Sequence, residues 1–395
     1  MKIIASLLLI TLLVACNDES SESNTSKPPK TRITLEQQLL ENRLGLFSKT
    51  ALLETPSEVY CDMANGEREG CYEFYLKHKP DDLALGTICP ANLDQQGGVW
   101  NWTGENPGLY RLDRDFFTKL DKLGFSFYDD KGQVYSTNLS VERPEHPNTC
   151  ISIASDPHVE MSLLIPERGR RANKVTKTDK LDYIGVSLSG VPIFANPPKA
   201  LTAGHLPALD SCGGKVNLGG FYQLYTISSD INRVYETKGL DVQCPTPQDS
   251  SGLFGYAIDG FAIYGSKEPD NSEPKGLDEC NGHVGPTSDG AAPIYHYHAS
   301  NSFPNLPPCL TGIIVKENFV TNANMGFGAY VNEKQIPLPE IIEENARYLK
   351  MTNNEFYEYL KRSNDPRAID YVSRITQHLK DIGYEETNAS STPKN

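Results

Sequence analysis

Two stretches of this 395-residue chain follow the same pattern, and that internal repeat limits the folds open to it. Residues 184–194 and 254–264 each hold two short apolar runs, joined by Ser-Gly in the first copy and by Asp-Gly in the second. Asp-Gly between apolar runs is a strong signal for a β-hairpin. Both copies continue through a loop to a cysteine and then to a tyrosine-bearing strand. The sequence therefore predicts two copies of one β unit, at about residues 183–244 and 254–309.

The cysteines indicate how these units are held together. Nine are present, and the eight after Cys16 are Cys61, Cys71, Cys89, Cys150, Cys212, Cys244, Cys280 and Cys309. Eight cysteines in an exported chain imply up to four disulfides, and no two of them have the C-x-x-C spacing of a zinc site. Each repeat has one cysteine after its loop and one further on, so the repeat symmetry predicts the bridges Cys212–Cys244 and Cys280–Cys309. The remaining four cysteines then pair among themselves, in an order that the sequence leaves open.

The start of the chain predicts export. Residues 3–13 are an apolar run of about eleven residues behind a basic start, which suits a signal peptide and is too short to span a bilayer. Residues 13–16, Leu-Val-Ala-Cys, resemble a bacterial lipobox, which makes Cys16 the lipidated first residue of the mature protein. The alternative is an ordinary signal peptide that happens to carry a cysteine. We expect a lipoprotein signal peptide at residues 1–16.

The residues after Cys16 predict the location of the protein. Asn17 is not the aspartate that retains lipoproteins at the inner membrane of enteric bacteria, so the sequence favours the outer membrane of the cell envelope. Several acyl chains on Cys16 would make the membrane a stable partner. Residues 17–32 are rich in Ser, Asp, Glu, Lys and Pro and predict a disordered linker.

Composition supports a β-protein. The chain carries 27 Pro, 31 Gly and 20 Tyr, which is typical of a loop-rich β fold. Its net charge is −14 without a basic run, which argues against nucleic acid as a partner. We predict a mostly β protein, α+β overall. A disulfide-linked, duplicated antiparallel β domain at 148–335 follows a small mixed N-terminal region at 33–147 and precedes C-terminal helices at 336–386 and a disordered tail at 387–395.

Three of the eight histidines lie close together in the second repeat. In a strand, His296 and His298 point to one face and Tyr295 and Tyr297 to the other, because side chains alternate with a period of two. The two histidines are then about 6–7 Å apart at the Cα level. His283, on a neighbouring loop, would complete a three-histidine site. Neutral imidazole is the commonest metal ligand, and three with an open position suit zinc or copper (Zn or Cu).

Acidic residues beside His283 are candidates to orient the imidazole rings. Asp278 and Glu279 are the nearest of them. The first repeat has Lys215, Gln223 and Tyr225 where the second has its three histidines, so it cannot bind the same metal. We interpret the first copy as structural and the second as the copy that carries the candidate metal site. His205, in the Ala-Gly-His-Leu stretch at 203–206, is considered as a fourth ligand.

This part of the chain resembles a known family. Residues 295–298 read Tyr-His-Tyr-His, with Asp-Glu-Cys-Asn-Gly-His at 278–283 and Ala-Ile-Asp-Gly-Phe-Ala-Ile-Tyr-Gly at 257–265. Together they resemble the YHYH-domain family, a poorly characterised group of secreted or envelope proteins named for the tetrapeptide. The resemblance covers about residues 150–315. It implies a secreted domain with a metal or ligand site, and the family has no settled activity to transfer.

Three functions stay open on the sequence. The favoured one is transition-metal binding in the cell envelope. The second is a metal-dependent envelope hydrolase or oxidoreductase, in which Asp278 or Glu279 acts as base on a metal-bound water. The third is a metal-free structural or ligand-binding surface protein, in which the histidines bond to carbonyls and hydroxyls. Trp100, Trp102 and Tyr110 are then candidates for a carbohydrate platform, although such residues more often fill a core.

Overall fold

Strands predominate over helices in the computed structural model, which describes residues 35–146, 148–195, 205–206, 208–290, 292–323, 335–349, 351–364 and 366–384. The strands are β1 (Ser57–Asp62), β2 (Arg68–Lys77), β3 (Val99–Trp102), β4 (Gly108–Arg111), β5 (Ser136–Asn138), β6 (Thr149–Ser152), β7 (Glu160–Pro166), β8 (Arg171–Lys177), β9 (Tyr183–Ser187), β10 (Pro192–Phe194), β11 (His205–Leu206), β12 (Gly214–Val216), β13 (Tyr222–Leu224), β14 (Leu253–Ala257), β15 (Ala262–Tyr264), β16 (Gly282–Gly285), β17 (Ile294–His298), β18 (Cys309–Gly312) and β19 (Phe319–Thr321). The α-helices are α1 (Leu35–Arg43), α2 (Arg114–Lys122), α3 (Ile231–Thr237), α4 (Glu340–Tyr348), α5 (Asn353–Arg362) and α6 (Pro366–Asp381). The predicted fold class, mostly β and α+β overall, is confirmed.

Both repeats form one eight-stranded sheet, in the order β12-β13-β10-β9-β14-β15-β17-β16. The first repeat supplies one half of this sheet and the second repeat the other, joined by antiparallel pairing of β9 with β14. The order of equivalent strands is the same when read from either edge. The outer strands pair antiparallel, but β10 with β13 and β15 with β17 are parallel. The duplication is confirmed. The predicted domain was antiparallel, and the parallel direction of these two strand pairs was not predicted.

The hairpin of each repeat turns on a glycine. Gly190 and Gly260 have φ angles of +79° and +84°, a region that favours residues without a Cβ atom. They stand in the Ser-Gly and Asp-Gly pairs that predicted the hairpins β9–β10 and β14–β15. The local turn signal was therefore sufficient to place both hairpins.

Four disulfides link the cysteines after Cys16. They are Cys61–Cys71, Cys89–Cys150, Cys212–Cys244 and Cys280–Cys309. The two bridges predicted from repeat symmetry are confirmed. The other two join strands β1 and β2 and tie the segment before β3 to β6. Each repeat is thus closed by its own bridge, across sequence separations of 32 and 29 residues.

The N-terminal region shares a sheet with the β domain. Strands β1 and β2 continue into β7 and β19, in the order β1-β2-β7-β19, and seven residue pairs join β2 to β7. Phe47 and Phe74 therefore pack in the same apolar core as Tyr256 and Tyr297. Strand pairing crosses the boundary that we drew between residues 147 and 148. The backbone N–H and C=O groups at the edge of the β1–β2 hairpin form hydrogen bonds with a strand from beyond that boundary.

A smaller core lies behind the β3–β4 hairpin. Trp100 and Trp102 are buried there with Phe116 of α2, and the ring of Tyr110 stacks on Phe116 at 4.9 Å between ring centroids. Helix α2 begins after Asp113, whose side chain caps it by accepting from the Phe116 N–H. Since both tryptophans are buried, these aromatic residues form a core and not a carbohydrate platform.

The C-terminal helices have an apolar core of their own. Ile342 on α4, Phe356 and Leu360 on α5 and Ile375 on α6 are buried together. Leu139, from the N-terminal region, packs against the same cluster. No helix within the described ranges is long and apolar enough to cross a membrane. The predicted signal peptide, Cys16, the linker at 17–32 and the tail at 387–395 lie outside those ranges.

Candidate metal centre

Strands β16 and β17 position the three histidines. His283 on β16 pairs directly with His296 on β17, and His298 follows two residues later on the same face. A turn at Asp278 sets the start of β16, because its Oδ1 atom accepts from the backbone N–H groups of Cys280 and Gly282 at 2.9 and 3.0 Å. His296 and His298 are buried. The period-two prediction therefore holds, and both imidazoles point to one side.

The imidazole Nε2 atoms converge on one point together with a carboxylate. Nε2 of His298 lies 3.0 Å from Nε2 of His296 and 3.3 Å from Nε2 of His283. Oε1 of Glu268 lies 3.2 Å from Nε2 of His283 and 4.0 Å from that of His298. Neighbouring donors of a tetrahedral zinc site, at about 2.0–2.2 Å from the ion, are about 3.3 Å apart. The four ligand atoms lie within 4.8 Å of one another, so this group of side chains could hold one metal ion.

Backbone carbonyl groups determine which nitrogen of each imidazole ring carries the hydrogen. The Nδ1 atoms of His283, His296 and His298 lie 2.9, 3.0 and 2.7 Å from the carbonyl oxygens of Lys275, Ile294 and Gly265. A carbonyl oxygen only accepts, so each Nδ1 atom carries the hydrogen and each neutral ring has its lone pair on Nε2. Three lone pairs and a carboxylate then face one another, an arrangement that a cation at their centre would stabilise.

Burial keeps two of the rings in the form that binds metal. It lowers the pKa of His296 to about 3, with a further contribution from the neighbouring His298. Burial also lowers the pKa of His298 to about 4. Both imidazoles are therefore neutral at neutral pH, as metal ligands must be.

The second oxygen of Glu268 is a further acceptor that a bound cation would satisfy. Oε2 is buried and has no hydrogen-bond partner among the residues that the structure describes. An unsatisfied buried acceptor costs about 1–3 kcal/mol, more when it is charged. A metal ion bound by this carboxylate would offset that cost.

Two predicted residues do not support the ring nitrogens. Asp278 holds the turn and accepts from the hydroxyl of Tyr295 at 2.9 Å, on the other face of the strand. Glu279 is 64% exposed and lies 3.6 Å from the ammonium group of Lys177. The prediction that they orient the histidines was wrong, because the backbone carbonyls already satisfy all three Nδ1 atoms.

Sequence reasoning also missed the fourth member of the cluster. Glu268 lies in the loop after β15, fifteen positions before His283, and nothing in its local sequence distinguishes it from other acidic loop residues. His205, considered as a fourth ligand, belongs to β11, which pairs with β6 in a separate three-stranded sheet.

The first repeat reproduces this scaffold without the ligands. Oδ1 of Asp210 accepts from the N–H groups of Cys212 and Gly214 at 2.9 and 3.0 Å, and the hydroxyl of Tyr222 donates to its Oδ2 at 2.9 Å. These contacts match those of Asp278. Lys215 pairs with Gln223 at the register where the second repeat pairs its two histidines. Among the described residues of the two copies, the metal-type cluster is found in the second.

Side chains behind the cluster hold it in place. The hydroxyl of Tyr297 donates to Oδ2 of the buried Asp259 at 2.6 Å. The ring of Tyr264 lies edge-on to His296, at 5.0 Å between centroids, and its hydroxyl accepts from buried Arg43 at 2.7 Å. Arg43 also donates to Asp289 at 2.6 Å, so helix α1 is connected to the site through one guanidinium group.

Comparison with known proteins adds no assignment. No protein-family model matches the chain, no curated protein is significantly similar to it, and no solved structure matches its fold.

Proposed function

We propose that this protein binds one transition-metal ion, zinc or copper, in the bacterial cell envelope. The ligands are His283, His296 and His298, with Glu268 as the fourth. One observation carries the proposal: three Nε2 lone pairs and a carboxylate face a single point, while every Nδ1 hydrogen is already bonded to a carbonyl. With all three rings neutral and no metal, these lone pairs would face one another without a hydrogen between them.

A lipid anchor on Cys16 and the outer membrane as the location are part of the same proposal. They are supported by the lipobox-like residues 13–16 and by Asn17. The resemblance to the YHYH-domain family supports an envelope protein with a metal or ligand site. Replacing Cys16 with serine would then move the protein from the membrane fraction to the soluble fraction of the envelope.

A second candidate is a metal-dependent hydrolase or oxidoreductase. The side chains of Glu268 and His283 are each 11% exposed, whereas that of His298 is 2% exposed, so solvent reaches the cluster from the side of Glu268. A carboxylate at that edge could act as base on a metal-bound water instead of as a ligand. Glu268, and not Asp278 or Glu279, would then be the base.

The direct test is the metal content of the exported protein, measured by elemental mass spectrometry. We expect about one equivalent of zinc or copper in the wild type and its loss in the variant His296→Ala/His298→Ala. The variant His158→Ala is the matched control, because His158 is exposed and far in sequence from the cluster. Absence of metal from the wild type, even after addition of Zn(II) and Cu(II), would contradict the proposal.

Substitution of cobalt separates the two candidates. Co(II) absorbance reports coordination number, and four protein ligands without an exchangeable water indicate a closed binding site. A spectrum that indicates a Co(II)-bound water, and that shifts when the pH is titrated, indicates the open coordination position that catalysis needs.

A further inference from the structure

One peptide unit connects the metal centre to a buried carboxylate of the first repeat. The carbonyl oxygen of Gly265 lies 2.7 Å from Nδ1 of His298 and accepts its hydrogen. The N–H of Ser266, on the other side of the same peptide bond, donates to Oδ2 of Asp230 at 2.9 Å. The two hydrogen bonds therefore form one chain, which runs from the carboxylate through the peptide to the imidazole ring.

The contacts around Asp230 favour its ionised form. Its Oδ1 atom accepts from the hydroxyl of Ser266 at 2.8 Å, and that hydroxyl accepts from Arg233 at 3.1 Å. Burial raises the pKa of this carboxyl, whereas the hydrogen bonds from Ser266 and Ser250 and the charge of Arg233 lower it. Both carboxyl oxygens thus receive hydrogen bonds, and a group in that position is stabilised as the anion, which only accepts.

The carboxylate serves this contact and not the helix that it precedes. Asp230 stands at the N-cap position of α3, where aspartate is common because its oxygen can accept from the first helical N–H groups. Here both oxygens are directed to Ser266 instead. Asp230 and Ser266 are 2% and 3% exposed, so solvent ions screen the contact little.

Gly265 allows the peptide to approach the carboxylate. A Cβ atom at this position would lie 2.7 Å from Oδ2 of Asp230, closer than a side chain tolerates. The first repeat has Ala195 at the aligned position, directly after Phe194. The glycine therefore occurs in the copy that also carries the three histidines.

His298 differs from the other two histidines in this contact. The Nδ1 atoms of His283 and His296 lie 2.9 and 3.0 Å from their carbonyl oxygens, whereas that of His298 lies at 2.7 Å. Hydrogen bonds in a chain polarise one another, and the negative end of this chain is Asp230. A stronger acceptor at Nδ1 makes the ring a more basic ligand at Nε2, the atom that faces the cluster.

We propose that Asp230 is a positioning residue of the metal centre, which orients His298 and strengthens it as a ligand through the Gly265–Ser266 peptide. A carboxylate bonded directly to a metal-binding histidine has the same effect. The effect on metal affinity rests on the proposed function, whereas the hydrogen-bond chain itself is measurable in the metal-free protein. Because Asp230 belongs to the first repeat, that copy contributes to the site of the second.

Asp230→Asn tests the effect on metal binding. The change keeps the size of the side chain and removes its charge. In competition with a chromophoric chelator, we expect the affinity for Zn(II) or Cu(II) to fall by about tenfold or more. Asp210→Asn is the matched control, because Asp210 is equally buried in the first repeat and its contacts are to Cys212, Gly214 and Tyr222. It should leave the affinity unchanged.

Ser266→Ala separates the peptide contact from general support of the loop. It removes the hydroxyl bond to Asp230 and keeps the backbone N–H that continues the chain to His298. We therefore expect a smaller loss of affinity than in Asp230→Asn. A loss as large as that of Asp230→Asn would contradict the proposal, since damage to the loop would then account for both.

The metal-free protein provides a test that needs no ion. In proton NMR, the Nδ1 hydrogen of His298 should lie furthest downfield of the three cluster histidines, because it makes the most polarised hydrogen bond. The resonance is identified by its loss in His298→Asn. It should move upfield in Asp230→Asn and keep its position in Asp210→Asn.

The outcomes distinguish this inference from the proposed function. A wild type that binds metal, with the same affinity in folded Asp230→Asn, overturns the inference and leaves the function intact. An unmoved His298 resonance in that variant also overturns it. A wild type that binds neither Zn(II) nor Cu(II) overturns both. Should Asp230→Asn fail to fold, the wild-type spectrum decides, and a His298 resonance upfield of either other histidine contradicts the inference.

Discussion

His283 lies directly opposite His296 across the antiparallel strands β16 and β17. The same register position in the first repeat pairs Lys215 with Gln223. The turn aspartates that start β12 and β16 make the same hydrogen bonds in both copies. The two copies thus share a scaffold and carry side chains of different chemistry at equivalent positions of one sheet.

Glu268→Gln should weaken metal binding by at least about tenfold. The change keeps the size of the side chain and removes the charge that lies 3.2 Å from Nε2 of His283. Affinity is measured by competition with a chromophoric chelator. Glu279→Gln is the matched control and should have the affinity of the wild type, because Glu279 is exposed beside Lys177. Equal affinity in both variants would show that Glu268 is not a ligand.

Removal of the metal should lower the thermal stability. A ligand that binds only the folded state, at a free concentration 100 times its Kd, stabilises that state by about 2.7 kcal/mol. Scanning calorimetry with a chelator, and again after Zn(II) or Cu(II) is restored, should therefore show a reversible shift in Tm of several degrees. The variant His296→Ala/His298→Ala should show no shift, and a shift of the same size in that variant would place the stabilising ion elsewhere.

Loss of the disulfide Cys280–Cys309 should reduce both stability and metal affinity. A bridge with a sequence separation of 29 contributes about 3–4 kcal/mol in the chain-entropy model. Cys280 also lies between Asp278 and His283, so reduction loosens the entry to β16. Denaturant unfolding and chelator competition on Cys280→Ser/Cys309→Ser measure the two effects.

The disulfide Cys61–Cys71 provides the comparison. Its sequence separation is 10, and its loss should cost about 2–3 kcal/mol. Since it joins β1 to β2, away from the histidine strands, Cys61→Ser/Cys71→Ser should leave metal affinity unchanged. A parallel fall in affinity would mean that general destabilisation, and not the loop of Cys280, controls the site.

Asp259 should give stability a distinct pH dependence. Burial raises the pKa of this carboxyl to about 6, although it accepts from Tyr297 and the Gly312 N–H. A raised pKa in the folded state means that the contribution is full below about pH 3.8 and is lost as the pH rises through 6. The stability advantage of the wild type over Asp259→Asn should therefore fall by up to about 3 kcal/mol between pH 4 and pH 7. Urea unfolding of the metal-free proteins measures it, with Asp179→Asn as control; an advantage that grows with pH contradicts the assignment.

Short-range patterns in the sequence were sufficient for much of this fold. Ser-Gly and Asp-Gly placed Gly190 and Gly260 in hairpin turns, since positive φ angles favour glycine. The period of two placed His296 and His298 on one face. Repeat symmetry gave two of the four disulfides. Each of these inferences depends on neighbouring residues or on comparison of the two copies.

The tertiary structure decided what completes the site. Glu268 reaches His283 only because the loop after β15 folds back over β16, and a loop path depends on packing between distant segments. The backbone carbonyl groups that accept hydrogen bonds from the imidazole rings cannot be recognised from any side chain in the sequence. The cavity beside Lys215 arises where β10 and β13 pair in parallel and Phe319 approaches from β19. The sequence by itself determined the repeat, two of the disulfides and the three histidines of the cluster. The position of Glu268 and the cavity beside Lys215 follow from long-range contacts that no local pattern encodes.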